Sequence, residues 1–393
     1  MPWNGRTVTQ MRKEFVEEVL AQRKTKSQLC LEYGISRPTG DKWIQRYLSD
    51  LSLEDQSRRS HSSPGKTSPE IEKLILDYRK DHPAIGAIKI HRILQNKGYT
   101  NLPSPRTVNN ILNRNGMISL EASLASMPMQ RFQKERPNEM WQADYKGHFA
   151  LKNGKRCHPL NIIDDCSRFN LCCKAQNGET FGEIQPVMIA LFEEFGMPEI
   201  FLCDNGNPWG TQQSTGFTRF EVWLMELGIL TIHGRVRHPQ TQGKEESFNR
   251  SMTKELLKLH EFADSQEAQH FFDEYRTFYN TERPHHSLNL DTPEQHYSKS
   301  EKAYPGTVRE WEYEQSGSLR RIKETGFLTW GGQGYFLSEA FGGKEIMVCE
   351  EDNRRVINLY FRQFHIGRID LEKRVFTFKK AYLSANDPRQ NRP

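Results

Sequence analysis

Apolar positions recur at three- and four-residue steps through the first 115 residues and then alternate, and each regime predicts its own elements. Thr9 to Leu20 reads as a helix with Met11, Phe15, Val16, Val19 and Leu20 on one side. Lys26 to Tyr33 reads as a second, ended by Gly34. Ser36 is placed to cap a third, which runs to Leu48 and turns Trp43, Ile44 and Tyr47 inward. Helix, short glycine turn, helix is a helix-turn-helix spacing over residues 1–50. The last helix would offer Arg37, Thr39, Lys42 and Arg46 to a major groove. Residues 51–67 are polar and aperiodic, a linker. The helical period returns over 68–117. Ser68-Pro69-Glu70 and Ser104-Pro105 open helices, and Ile85 to Gln95 forms one between them. This second block reads as a helix-turn-helix or winged helix with Lys89, Arg92, Arg106, Asn109 and Arg114 as polar exposures. Residues 118–137, with Pro128 and Pro137, form another linker.

From residue 138 the pattern is mixed. Met140 to Leu151 alternates as a strand, and Asn153-Gly154 marks a hairpin turn. His158 to Asp165, Phe169 to Ala175, Glu199 to Asp204 and Ile229 to His233 read as further strands. Helices fall between them, and two more close the segment, giving the order βββαβαβαα over 138–297. The first closing helix follows a loop, His238 to Gly243. Phe248, Met252, Leu256 and Leu259 form its apolar face, and Glu246, Asn249, Arg250, Thr253 and Lys254 lie opposite. Beyond Ser300 short strands separated by glycines and charged turns predict a small SH3-like barrel over 318–380.

Charge changes the picture of the front half. Residues 1–137 hold 23 Lys+Arg against 14 Asp+Glu, whereas the whole chain holds 55 against 50. A basic front half implies a polyanion partner. Seven cysteines, an odd number without a Cys-x-x-Cys pair, point to reduced thiols rather than a zinc knuckle. No apolar run is long enough for a membrane span, and the N-terminus lacks an apolar signal region, so a cytoplasmic protein is expected.

Three acids stand out. Asp144 lies within the first strand of the mixed segment, Asp204 closes the fourth, and Glu246 opens the helix after the fifth. Converging carboxylates raise one another's pKa, and hard divalent cations offset that repulsion. A metal pair suits in-line phosphoryl transfer.

The motifs around these acids are Trp141-Gln142-Ala143-Asp144, Ile163-Asp164-Asp165-Cys166-Ser167-Arg168, Asp204-Asn205-Gly206, and His238-Pro239-Gln240 through Glu246 to Phe248-Asn249-Arg250. Tyr279-Asn280, Arg283-Pro284-His285, Leu288 and Thr292-Pro293 complete them. Together they resemble the catalytic core of retroviral-integrase-type transposases of bacterial insertion sequences. The resemblance implies a multidomain protein: α-helical helix-turn-helix N-terminal domains, an α/β ribonuclease-H-like core and the small all-β barrel. It implies a catalytic, metal-binding triad of Asp144, Asp204 and Glu246 with two Mg²⁺ ions (or Mn²⁺ in their place). It implies binding to terminal inverted repeats and target DNA, cleavage of the element's ends, joining of their 3′-hydroxyls, and a dimer or tetramer assembled on DNA, acting at a bacterial nucleoid. Asn249, Arg250 and Lys254 would contact DNA beside the triad. Seven residues past Glu246, where relatives carry a cation, this chain has Thr253, with Lys254 next. Two other classes fit parts of the pattern: a non-catalytic DNA-binding regulator, and a ribonuclease-H-like nuclease that only cleaves.

Overall fold

The structure, a computed structural model, describes residues 7–55, 67–118, 133–210, 216–234, 243–313, 317–351, 355–379 and 381–382. The chain divides into two compact units, one within residues 1–66 and one from residue 67 onward. The first is three helices: α1 (Val8–Leu20), α2 (Lys26–Glu32) and α3 (Arg37–Leu48). Thr7 with Gln10 and Thr25 with Gln28 form capping boxes, and the Ser36 hydroxyl accepts the Thr39 amide at the start of α3. Each such cap stabilises its helix by about 1 kcal/mol, which matters in helices this short. Phe15, Val16, Leu29, Cys30 and Trp43 make the core. Gly40 lets α3 approach: a Cβ there would stand 3.0 Å from the Phe15 ring and 3.0 Å from Cys30 Sγ. Met11 and Leu20, expected on the packed side, are exposed, because so small a unit covers only one turn of α1.

The second unit begins with α4 (Pro69–Asp81), α5 (Ala87–Asn96) and α6 (Pro105–Arg114). Ile75, Ile90, Ile93, Leu94, Val108, Ile111 and Leu112 bury one apolar face of each helix. The block is fastened to more distant parts of the same unit. His82 stacks on Phe278 at 5.0 Å, and Arg92 and Lys97 pair with Asp291 and Glu282 at 2.9 and 2.7 Å.

A mixed sheet comes next. Its strands are β1 (Met140–Tyr145), β2 (Phe149–Ala150), β3 (Arg156–Asp164), β4 (Asn170–Gln176), β5 (Ile200–Cys203) and β6 (Leu230–His233). Their spatial order runs β6-β5-β1-β3, with β4 and β2 also pairing β3. β1, β5 and β6 are parallel, and β3 is antiparallel to β1 and β4. The expected strand through Leu151 is interrupted at Gly147, whose φ of +86° an L side chain rarely adopts. α7 (Phe181–Phe195) and α8 (Arg219–Glu226) cover one face; α9 (Gly243–Met252) and α10 (Ser265–Thr281) cover the other. Trp209, from the stretch between β5 and α8, is buried among Tyr145, Phe201 and Phe220. After Met252 the helix widens into a π turn over Thr253–Leu257. Leu259, expected on the apolar face, lies past the end of this helix in the turn that follows and is exposed.

The last segment corrects an expectation. β7 (Ser318–Arg321), β10 (Glu345–Glu350), β11 (Val356–Phe361), β12 (Phe364–Asp370) and β13 (Val375–Phe378) form a five-stranded antiparallel sheet, while β8 (Phe327–Trp330) and β9 (Gln333–Phe336) form a separate hairpin. The pairings among the described strands do not close into a barrel. The sheet's apolar face has another cover: Phe217, Val222 and Met225, at and within α8, share one core with Leu328, Val348, Ile357, Leu359 and Ile369. A final strand, β14 (Ala381–Tyr382), runs parallel to β6 and extends the mixed sheet.

Candidate active site

β1 carries Asp144 at the position paired with Asn161 of β3. Asn161 Nδ2 donates to Asn249 Oδ1 at 2.8 Å, and Asn249 Nδ2 donates to Asp144 Oδ2 at 2.9 Å. Both asparagines are buried, so β3 and α9 together aim the carboxylate. Burial, and then the charge of Asp204, push the Asp144 carboxyl up to about 7, against the opposing pull of Lys146. Asp204 follows β5. Burial raises it too, while the Gly206 amide, 2.9 Å from Oδ1, and His233 favour its charged form. The charge of Asp204 thus helps to hold the proton on Asp144, against the hydrogen bonds that Asp144 accepts from the Tyr145 amide and from Asn249.

The backbone at Asp204 is held from behind. His233 Nδ1 donates to the Asp204 carbonyl at 2.8 Å, and His233 Nε2 lies 2.8 Å from Glu221 Oε1. The other Glu221 oxygen caps α8 by accepting the Thr218 amide at 2.6 Å.

α9 sets the third acid. Lys244 in its first turn pairs with buried Asp165, which also accepts from Gln142 and from the Lys134 amide. Asp164 is instead a turn residue: it accepts the Ser167 amide and hydroxyl and the Asn138 amide. Glu245 and Glu246 then point about 100° apart. Glu245 is fully buried, and its carboxyl is raised by burial and by Asp144, only partly offset by the Ile163 amide. Glu246 is half-buried and shares with Asp144 a cleft of ≈ 600 Å³. Lys146, Arg250, Lys254 and Lys258 line the same cleft.

These oxygens are the donor set a hard divalent cation takes, and the Asp144–Asp204 repulsion is the kind it relieves. Among the described residues, however, no three His, Cys, Asp or Glu side chains close to metal-binding distance. Residues 235–242, which lead into α9 and include all of the expected His238-to-Gly243 loop except Gly243, lie outside the described residues.

The expected DNA contacts separate into groups. Arg37 and Lys42 are exposed on α3; Thr39 and Arg46 are half-buried, and Arg46 lies 5.2 Å from the Trp43 ring. Arg106 and Asn109 are exposed on α6. Arg92 is engaged by Asp291, and Lys89 is half-buried toward Arg283 and Glu255. Arg250 and Lys254 are exposed in the cleft, whereas Asn249 is buried beneath Asp144. Sequence reasoning missed Lys146, Lys258, Asn161 and His233. Asn161 had a signal: it is an amide inside the apolar run of β3.

All seven cysteines are free thiols, and no described helix is long and apolar enough to cross a membrane. Among known protein families, integrase core domain profiles match residues 134–239 and 227–293. A helix-turn-helix domain matches residues 11–61 and a homeodomain-like domain residues 39–112. With its mixed sheet and helical front, the molecule is an integrase-core protein with helix-turn-helix domains. The profile of the IS481 family transposase C-terminal domain matches residues 318–377. In these segments the chain is similar to proteins of bacterial insertion sequences, several of which are named as transposases.

An uncharacterized 39.2 kDa protein of insertion element IS476 from Xanthomonas euvesicatoria is 28% identical over 40% of this chain and 44% of its own length. The chain thus spans about half the length of the first relatives it matches. A protein provisionally named as the transposase of IS5376 from Geobacillus stearothermophilus is 22% identical over 92% of this chain and 88% of its own. A solved HTLV-2 integrase catalytic core in complex with magnesium is 16% identical over 41% of this chain and 97% of its own, with a TM-score of 0.31, too low to carry the fold assignment.

Proposed function

We propose that this chain is a transposase that binds the terminal inverted repeats of its own element, cleaves at their ends and joins the freed 3′-hydroxyls to target DNA. The observation that carries this reading is the cleft in which Asp144 and Glu246 stand together among four cations, with the charge of Asp204 coupled to Asp144. Acids alone would repel a DNA backbone; Lys146, Arg250, Lys254 and Lys258 make the rim attractive to phosphates. Asp144, Asp204 and Glu246 would hold Mg²⁺, with Mn²⁺ as a substitute. Two such ions, when bound, supply an acidified water or 3′-hydroxyl and charge neutralisation at the leaving oxygen. This chain's own part is positioning. Asn161 and Asn249 aim Asp144, the Gly206 amide holds Asp204, and Lys244 on Asp165 sets the orientation from which α9 presents Glu246. The helices of residues 7–55 and the block of 67–118 would bind the ends. Joining two ends calls for at least two copies, a dimer or tetramer assembled on DNA at the bacterial nucleoid.

Asp144→Asn tests the reading. It keeps size and removes charge. With Mg²⁺ and labelled DNA carrying the element's own ends, wild type is expected to cleave and join, while the variant shows no chemistry and binds within a few fold of wild type. Wild type without metal-dependent cleavage would leave the non-catalytic regulator in its place; cleavage without joining would leave the nuclease.

A further inference from the structure

A second cleft, ≈ 510 Å³, lies where the second helical block meets the rest of its unit. Lys89 of α5 and Arg106 and Asn109 of α6 form one wall; Glu255, Arg283 and His286 form the other. We infer that this cleft seats a backbone phosphate of the element's end while the adjoining DNA occupies the acidic cleft on α9, an inference that rests on the transposase reading.

Basic side chains outnumber acids in the lining of this cleft, three to one. Glu255 is the one acid in its lining, and its oxygens are already engaged. Arg283 Nε reaches one at 2.9 Å, its Nη2 reaches the other at 2.8 Å, and the Tyr275 hydroxyl donates at 3.2 Å. Lys89 has no ion pair or hydrogen bond among the described residues. Burial, and then the neighbouring Arg283, push it down to about 7, with Glu255 only partly offsetting them. A half-buried lysine held this low loses its proton readily, and an anion seated beside it would restore the ammonium and pair with it. Arg106 and Asn109, both exposed on the lip, add a second cation and an amide donor, the residue types that fix phosphates.

The position suits continuous DNA. Glu255 stands on the turn directly after α9, nine residues past Glu246. Along the helix axis that is roughly 14 Å, about four base-pair steps of one strand, and because Glu255 faces away from the acidic cleft the DNA would curve around this helix to reach both. The opposite wall is fixed relative to it by the Arg92–Asp291 and Lys97–Glu282 pairs and the His82–Phe278 stack. The end would therefore be held in register with the acids by a rigid wall.

The test uses the full chain and a labelled duplex with the element's terminal sequence, binding being measured across a salt series. Lys89→Met should weaken binding and reduce the slope of log affinity against log salt by roughly 0.9, the value of one phosphate contact. Its unfolding temperature should hold or rise, because a buried unpaired charge has been removed. Arg106→Gln, on the exposed lip, should reduce the slope likewise. A wild-type slope in both variants overturns the seat, as does a Lys89→Met protein that loses stability while keeping the slope. If wild type itself prefers its own end no more than a scrambled duplex and cleaves neither, the transposase reading fails first and the seat with it.

Discussion

Asp144 is held at about 7 where an ordinary aspartate sits near 3.8. The folded state therefore binds this proton more tightly than the unfolded chain does. The contribution to stability is fully present below pH 3.8 and is lost as pH rises toward 7. In the absence of metal the deficit at pH 8 is on the order of 4 kcal/mol. Asp144→Asn removes it. Thermal unfolding with a chelator present should place the variant above wild type at pH 8 and level with it near pH 4. Added Mg²⁺ should raise wild type only. A wild type as stable as the variant at pH 8 would mean that the acid is not strained by its neighbours.

At the scale of elements, α9 and the π turn after it divide the chemistry. Glu246, Arg250 and Lys254 face the acidic cleft, while Glu255 turns to the opposite side and meets Arg283 from the segment after α10. The Thr253 hydroxyl donates to the Asn249 carbonyl at 2.6 Å, which satisfies a backbone acceptor where the helix widens. Arg283 and Glu255 are both nearly buried, with side-chain exposures of 8% and 9%, so neither has water to fall back on. Arg283→Met should cost about 3–5 kcal/mol in chemical denaturation, because it strands a buried carboxylate. The double variant Arg283→Met/Glu255→Met should recover most of that loss. Equal losses in single and double variants would mean that packing, rather than the orphaned charge, is what the substitution disturbs.

For the whole second unit, the C-terminal sheets and the mixed sheet share α8. Ser338 donates to the Phe217 carbonyl at 2.7 Å, and Lys344 pairs with Glu226 at the end of α8. A fragment of residues 67–313 would leave Phe217, Val222 and Met225 uncovered, an apolar patch of the kind that drives self-association. Size-exclusion chromatography should show that fragment aggregated and the 67–393 fragment monodisperse in the absence of DNA. A monodisperse, folded 67–313 fragment would show that the C-terminal sheets are dispensable to the core.

The periodicity of apolar residues determined the helices of both front blocks, the succession of strands and helices along the mixed segment, and the placing of Asp144 and Asp204 at strands. These depend on backbone hydrogen bonds and on side chains a few positions apart, so a one-dimensional pattern carries them. Glu245 shows where the pattern stops. Next to Glu246 it looks equally polar, yet α9's rotation buries it, and rotation is decided by what Phe248 and Met252 pack against. Leu259 fits the apolar stripe in one dimension and lies outside it because the helix ends at Leu257. Lys89 and Arg92 read as open cations until α10 and the segment after it are brought alongside, through contacts nearly two hundred residues apart in the chain. The C-terminal strands carry the alternation of a barrel. Whether their apolar face closes on itself or onto α8 depends on a surface that only the folded mixed sheet provides, because burying apolar area is favourable against any partner of the right shape and no local pattern names that partner.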